Sequence, residues 1–343
     1  MRMYLHLHPV DLRLTTTFTI AHDSRDVQPT LLVALSDGPD GPTGLGEATA
    51  TRYYGVTIER MVAVLESIRP LIEAHELTDP AGFHALLQPY LAAHPFAACA
   101  LDQAAWDLWA KRQGTPLYQL WHLDPARAPL TNYTIGLDTP ARMVEKMTAF
   151  PWPLYKIKLG RPDTDLATVA ALRAHTDARF RVDANGGWTA EQTLTLLPEL
   201  ARLGVEFIEQ PLPASDVAGA RRVFEQSKLP IIADESCIVE ADVERCAGLF
   251  HGVNIKLTKC GGLTPARRMI DRARALGLQV MVGCMTESSV GISAIAQLLP
   301  LLDYADLDGA LLIANDPATG VTFREGRVQY AAEPGTGARL RTP

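Results

Sequence analysis

Several things are scarce or missing in this 343-residue chain, and each excludes something. No apolar run approaches the roughly 20 residues a membrane-spanning helix needs. The first residues, Met1 to His8, lack the continuous apolar core of a secretory signal, so a cytoplasmic protein is expected. Only five cysteines occur (Cys99, Cys237, Cys246, Cys260, Cys284), an odd number with no C-x-x-C pair. That argues against a disulfide framework or a zinc-thiolate centre and suits a reducing compartment. Net charge is −7 with no long basic or acidic block, which leaves nucleic acid and anionic membrane as poor partners. No low-complexity segment or linker divides the chain, and no G-x-G-x-x-G motif follows a strand-like segment.

What is present centres on Leu154-Tyr155-Lys156-Ile157-Lys158-Leu159-Gly160, which reads as a strand ending at a glycine. Alternate side chains of a strand share a face, so Lys156 and Lys158 point the same way. Two ammonium groups on one inward face should lower each other's pKa, which suits a lysine acting as a base near neutrality. The alternative is a solvated edge strand with two surface lysines.

Taken in order, residues 4–14 and 29–36 read as strands, with a polar, turn-like stretch at Thr15–Arg25 between them. Gly44–Ala48 then leads into a loop at Thr51–Gly55, giving a small antiparallel sheet with two loops. From Thr57 to about Gln113 apolar residues recur at helical spacing; Ala97–Lys111 is the most apolar helix, stopped by Gly114-Thr115-Pro116. From residue 131 strand-like segments recur about every 22 to 27 residues: Asn132–Gly136, Leu154–Leu159, Phe180–Ala184, Glu206–Gln210, Pro230–Asp234, Gly252–Leu257, Gln279–Gly283 and Tyr304–Gly309. Helical patterns such as Asp165–His175, Ala190–Leu203, Pro265–Leu276 and Ser288–Leu299 lie between them. Eight such units predict an α/β fold, a parallel sheet closed into a (β/α)8-type barrel, behind a smaller N-terminal α+β domain. A doubly wound open sheet is the alternative. The expected division is 1–125 for the cap, 126–315 for the barrel, and 316–343 for a C-terminal segment folding back onto the cap.

Barrel chemistry gathers at the C-terminal ends of the strands. Strands three, four and five end in Asp183, Glu209 and Asp234, so three carboxylates stand at one level. They would repel unless a cation sat between them, and hard oxygen donors favour Mg2+ or Mn2+. Strand six ends at Lys256, across the ring from Lys158 on strand two. A substrate carboxylate bound at the metal would hold its α-carbon between two lysines, one removing a proton and the other returning one, with the metal stabilising the enolate. Lys259 lies beyond the strand and reads as a loop residue.

These pieces resemble the enolase superfamily in its muconate lactonizing enzyme subgroup. They are Lys156-Ile157-Lys158, Asp183-Ala184-Asn185, Glu209-Gln210-Pro211, Asp234-Glu235-Ser236 and Asn254-Ile255-Lys256 with Gly261-Gly262, together with a capping-domain helix around Leu101–Leu108. The resemblance covers nearly the whole chain and implies a TIM-like (β/α)7β barrel with an N-terminal α+β capping domain. It implies that Lys158 and Lys256 are the acid/base pair, that Lys156 tunes Lys158, and that Asp183, Glu209 and Asp234 bind one Mg2+ per subunit, Mn2+ being the alternative.

Strand eight narrows the reaction. Asp306 and Asp308 in Tyr304-Ala305-Asp306-Leu307-Asp308-Gly309 project to one face, where two carboxylates suit a substrate ammonium group. The pair is similar to the D-x-D feature of the dipeptide epimerases, as is Gly283–Ser288 after strand seven. The expected activity is therefore epimerisation at the C-terminal residue of a dipeptide, an isomerase reaction on a small-molecule substrate, in a chain that barrels of this kind allow to assemble as a homo-oligomer. In the cap, Arg52-Tyr53-Tyr54-Gly55-Val56-Thr57 departs from the family's Tyr-Gly-Glu-Thr segment by carrying Val56 in place of Glu. Arg52 or Arg25 could meet an acidic substrate side chain, and Thr134 could form a wall of the site. The rivals are an o-succinylbenzoate synthase or N-acylamino-acid racemase, a muconate cycloisomerase, and a non-catalytic barrel that binds a metal and a ligand. None of them needs an ammonium anchor.

Overall fold

A computed structural model describes residues 3–20 and 23–341. The chain opens with three antiparallel strands, β1 (Tyr4–Ile20), β2 (Asp23–Ser36) and β3 (Thr43–Thr49), in the order β1-β2-β3. The stretch at 15–25 is not the turn its polarity suggests. Phe18 pairs with Arg25 and Ile20 with Asp23, after a register shift between Arg13 and Phe18, so the hairpin runs on to its tip. Threonines at 15, 16, 17 and 19 are β-branched and fit an exposed strand as readily as a loop. Of the expected loop, Ala21 and His22 lie outside the described residues.

Four helices follow: α1 (Ile58–Ser67), α2 (Arg69–Ala74), α3 (Pro80–Leu91) and α4 (Pro95–Arg112). Helix α4 is buried on all sides along nearly its whole length, its Asp102, Gln103 and Asp107 included, wedged between the small sheet and the rest of the molecule. Glycine is required where it crosses β3: a Cβ at Gly46 would stand 1.9 Å from the Ala100 carbonyl oxygen, and one at Gly44 2.2 Å from that of Ala104. Trp106, at the barrel-facing side of α4, packs on Trp109 and Trp121 and donates its indole N–H to Thr264.

Eight parallel strands then form one sheet in sequence order: β4 (Tyr133–Ile135), β5 (Leu154–Lys158), β6 (Arg179–Asp183), β7 (Val205–Glu209), β8 (Ile231–Ala233), β9 (Gly252–Ile255), β10 (Gln279–Gly283) and β11 (Tyr304–Asp306). A parallel bridge between Thr131 and Ala305 ties β11 to the residues just before β4 and closes the ring. An α-helix lies in each of the seven connections and, among the described residues, no α-helix follows β11, so the barrel is (β/α)7β. Phe207, Ile232 and Met281 fill the barrel's interior below the strand ends, with Tyr304 against them. No helix among the described residues is long and apolar enough to cross a membrane, and the five cysteines are free thiols.

Two buried carboxylates fasten the cap to the barrel. Glu47, on β3, accepts from the Ser288 N–H and hydroxyl and from the Gly291 N–H, at the N-terminus of the helix Ser289–Ala296. A carboxylate there meets unpaired amide donors and the positive end of the helix dipole. Asp102 of α4 does the same at the helix Leu263–Ala275, accepting from the Thr264 N–H at 2.9 Å and its hydroxyl at 2.6 Å.

Candidate active site

Strand register explains why the charged residues meet. Lys158 pairs with Asp183 across β5 and β6, and Asp183 with Glu209 across β6 and β7. Asp234 follows β8 directly and shares the inward face of Ile232, two residues before it, which pairs with Glu209. One oxygen from each of Asp183, Glu209 and Asp234 lies within 4.8 Å of the others, and all three residues are buried.

Lys156 sits among them. Its Nζ is 3.1 Å from Asp183, 2.8 Å from Glu209 and 2.8 Å from Asp306. For Lys156 this overturns the expectation of a depressed pKa. Burial works against the Lys156 ammonium, but the Asp306, Glu209 and Asp183 carboxylates outweigh it and hold its pKa well above the usual range. It is a fixed cation. Lys158 donates to Asp183 Oδ2 at 2.6 Å and to Asn185 Oδ1 at 3.4 Å. Lys256, which follows β9, donates to Asp234 Oδ2 at 2.9 Å. Strands β5 and β9 are four apart in the ring of eight, so Lys158 and Lys256 enter one cavity from opposite sides.

The donors suit a hard divalent cation. Glu209 is pushed up to about 7, by burial and then by Asp183, although Lys156 lies beside it. Its Oε1 is held by the Asn254 amide at 2.8 Å, while buried Oε2 accepts no aligned hydrogen bond. The carboxylates of Asp183, Glu209 and Asp234 are buried together, with no aligned hydrogen bond to Glu209 Oε2, and a divalent cation would offset their mutual repulsion.

The strand-eight pair divides differently from the sequence reading. Strand β11 stops at Asp306, and Asp308 occupies the cap position of a short 3-10 turn, Gly309–Leu312, because the chain leaves the sheet there. Both still line the cavity. Burial alone would raise the Asp306 carboxyl, but Lys156 and Asn132 bring it down to about 2. Asp308 accepts from the Thr134 N–H at 2.5 Å and is pushed up to about 7 by burial and by Asp306.

The cavity, of about 330 Å³, is roofed by the cap. Phe18, Arg25, Gln28, Arg52, Tyr53 and Tyr54 come from it, and Thr134, Cys284, Met285, Thr286 and Leu312 from the barrel. Arg25 reaches Thr286 Oγ1 at 3.5 Å, and Arg52 is exposed at the rim. The turn that carries Arg52 is closed by a bridge between Thr51 and Val56.

Sequence reasoning assigned no role to several residues that hold this arrangement. Gln210, in a left-handed backbone conformation (φ 34°), accepts from the Asp234 and Ser236 N–H groups at 3.0 and 3.1 Å. Asn185 (φ 45°) donates to Glu235 at 3.2 Å. Such conformations are costly for residues other than glycine and cluster at functional sites. Lys259 is not a loop residue: it lies on the helical turn Leu257–Cys260, buried against Asp234. Its spacing of three from Lys256 was the one available signal, since residues three apart on a helical turn share a face.

Residues 140–343 match the family model described as enolase C-terminal domain-like, and residues 6–121 match the mandelate racemase / muconate lactonizing enzyme N-terminal domain. The chain is 53% identical over 338 residues to an L-Ala-D/L-amino acid epimerase of Flavobacterium johnsoniae, covering 98% of this chain and 100% of that one. Among solved structures it is similar to a dipeptide epimerase from Methylococcus capsulatus complexed with Mg and L-Arg-D-Lys (32% identity, TM-score 0.89, 98% and 99% of the two chains). It is also similar to one from Enterococcus faecalis V583 complexed with Mg and L-Leu-L-Tyr (29% identity, TM-score 0.92, 98% and 99%).

Proposed function

The chain belongs to the enolase superfamily, in its mandelate racemase / muconate lactonizing enzyme family, and we infer that it is a magnesium-dependent dipeptide epimerase. The observation that carries this reading is a single cavity lined by lysines from opposite sides of the barrel, by Asp234 of the buried carboxylate triad, and by a further acidic pair at β11. An N-acylated amino acid or a muconate has no free α-ammonium group to place beside Asp306 and Asp308.

Asp183, Glu209 and Asp234 would hold the cation. Magnesium supplies positive charge against the negative charge that develops on the substrate carboxylate as the α-proton leaves. The remaining roles fall to the chain. Lys158 and Lys256 flank the α-carbon of the C-terminal residue. One, as the neutral amine, takes the α-proton; the other, as the ammonium, delivers a proton to the opposite face, and the configuration inverts with no net change in atoms. Lys156 stays charged, separates the carboxylates of the triad from Asp306, and holds the floor of the site rigid. Asp308 meets the substrate's N-terminal ammonium, with Asp306 behind it.

We assign the C-terminal side chain of the substrate to the space under the cap, among Phe18, Arg25 and Tyr53 of the cap and Met285 of the barrel. The 53% identical relative supports an N-terminal alanine with a varied second residue. Five free thiols support a reducing, cytoplasmic location. The test is deuterium incorporation at the α-carbon in D2O with Mg2+, read by mass spectrometry across L-Ala-L-Xaa and other L,L-dipeptides and N-succinyl amino acids. Exchange confined to dipeptides is expected. Exchange only with N-succinyl amino acids would overturn the reading.

A further inference from the structure

Lys259 takes no part in the chemistry assigned above, yet it is among the most deeply buried cations of the molecule. Its ammonium meets three oxygens: Oδ1 of Asp234 at 2.6 Å, the Asp234 carbonyl at 2.6 Å, and the Cys237 carbonyl at 3.1 Å. An ammonium has three protons, so its whole donor capacity is directed at residues 234–237. Gln210 holds the same loop through the Asp234 and Ser236 N–H groups. Asp234 Oδ2 is the oxygen outside this grip, and it is the one that Lys256 meets from the cavity side.

We infer that Lys259 is a positioning residue for the cation: it fixes the Asp234 carboxylate so that only Oδ2 is offered to the cavity, and thereby sets magnesium affinity. The inference rests on the reading of Asp234 as a metal ligand. Its physical basis is the Oδ1 contact. A lysine that only fastened the loop would need the two backbone carbonyls, whereas an ammonium on Oδ1 also removes the side-chain freedom of the ligand itself. A partner behind a ligand typically changes metal affinity 10- to 100-fold when lost. Simple electrostatics predicts the opposite sign, because removing a nearby positive charge should tighten cation binding, so the direction of the effect discriminates.

The experiment is magnesium titration calorimetry on the full chain after chelation, for wild type, Lys259→Met, Lys259→Arg and Asp234→Asn, with melting temperatures in EDTA. Lys259→Met is expected to raise the Mg2+ Kd by about 10- to 100-fold. A lower melting temperature with Mg2+ Kd within twofold of wild type, or a tighter Kd, would overturn the inference. If Lys259→Met does not fold, Lys259→Arg decides on the same criterion. It keeps the charge but cannot reproduce the three contacts, so a several-fold weaker Kd is expected and an unchanged one overturns the inference. Asp234→Asn separates the two levels. Wild-type Mg2+ binding in that variant overturns the ligand assignment and this inference with it, whereas lost binding there beside a normal Kd in the Lys259 variants overturns this inference alone.

Discussion

Asn132 donates its amide N–H to Oδ1 of Asp306 at 2.7 Å while Lys156 holds the other oxygen at 2.8 Å, so both oxygens of Asp306 are engaged within the protein. The Asp308 carboxylate is held by Thr134. The two aspartates should therefore fail differently. Asp308→Asn is expected to raise KM for a dipeptide by about 10- to 100-fold with a small change in kcat, the loss of a desolvated charge contact. Asp306→Asn is expected to lower both kcat and the melting temperature, because it leaves the buried Lys156 with less compensating charge. Steady-state kinetics beside thermal melts of both variants check this.

The same pair predicts a pH dependence. Burial and Asp306 push Asp308 up to about 7. Below that pH its carboxyl is protonated and cannot pair with an ammonium group; above it, it can. KM for dipeptides is expected to fall as pH rises from about 6 to 8, and the slope is expected to vanish in Asp308→Asn. A KM that is flat in wild type over this range would contradict the assignment.

Lys158→Ala and Lys256→Ala should each lower kcat by about 10²- to 10⁴-fold or more, the usual worth of a positioned general acid or base. Neither should alter Mg2+ stoichiometry. With two bases on opposite faces, each variant is expected to retain some α-proton exchange from only one epimer of the substrate, the opposite one in the two variants. Exchange of both epimers by a single variant, followed by NMR in D2O, would rule out one base per face.

A fourth prediction concerns stability. Glu287 accepts from the Met285 N–H at 2.8 Å, and its other oxygen is buried with no hydrogen-bond partner. Burial, then the nearby Glu47, pushes its carboxyl up to about 8. The folded state therefore binds this proton more tightly than the unfolded chain, and stability declines as pH rises from about 4.5 through about 8. Glu287→Gln should flatten that decline, being more stable than wild type at pH 9 by on the order of 1–3 kcal/mol and about equal at pH 5. Urea unfolding at the two pH values measures it.

The barrel was legible because its signals are local. Each of the eight strand segments proposed from the sequence overlaps an observed strand, with ends displaced by a few residues. The threonine-rich hairpin arm was misread because β-branched polar residues carry little information about strand against turn. In the site, Lys156, Lys158, Asp183, Glu209, Asp234 and Lys256 could be placed by strand-end logic alone. Their charge states could not, since the Lys156 ammonium is governed by Asp306, 150 residues away in sequence. Asn132 was missed for the same reason, since its contact with Asp306 exists only once the ring has closed. Gln210 and Lys259 were missed because their contacts with residues 234–237 are made to a neighbouring strand's loop, which composition does not mark.

Glu47 joins the cap to the helix that begins just after Met285 and Thr286, so the cap is pinned beside the wall it roofs, while the reacting groups stand on strand ends of the barrel. On the proposed assignment the proton-transfer groups belong to the barrel and most of the side-chain contacts to the cap, so substitutions in the roof are expected to change which side chain is accepted while leaving the lysines and carboxylates in place.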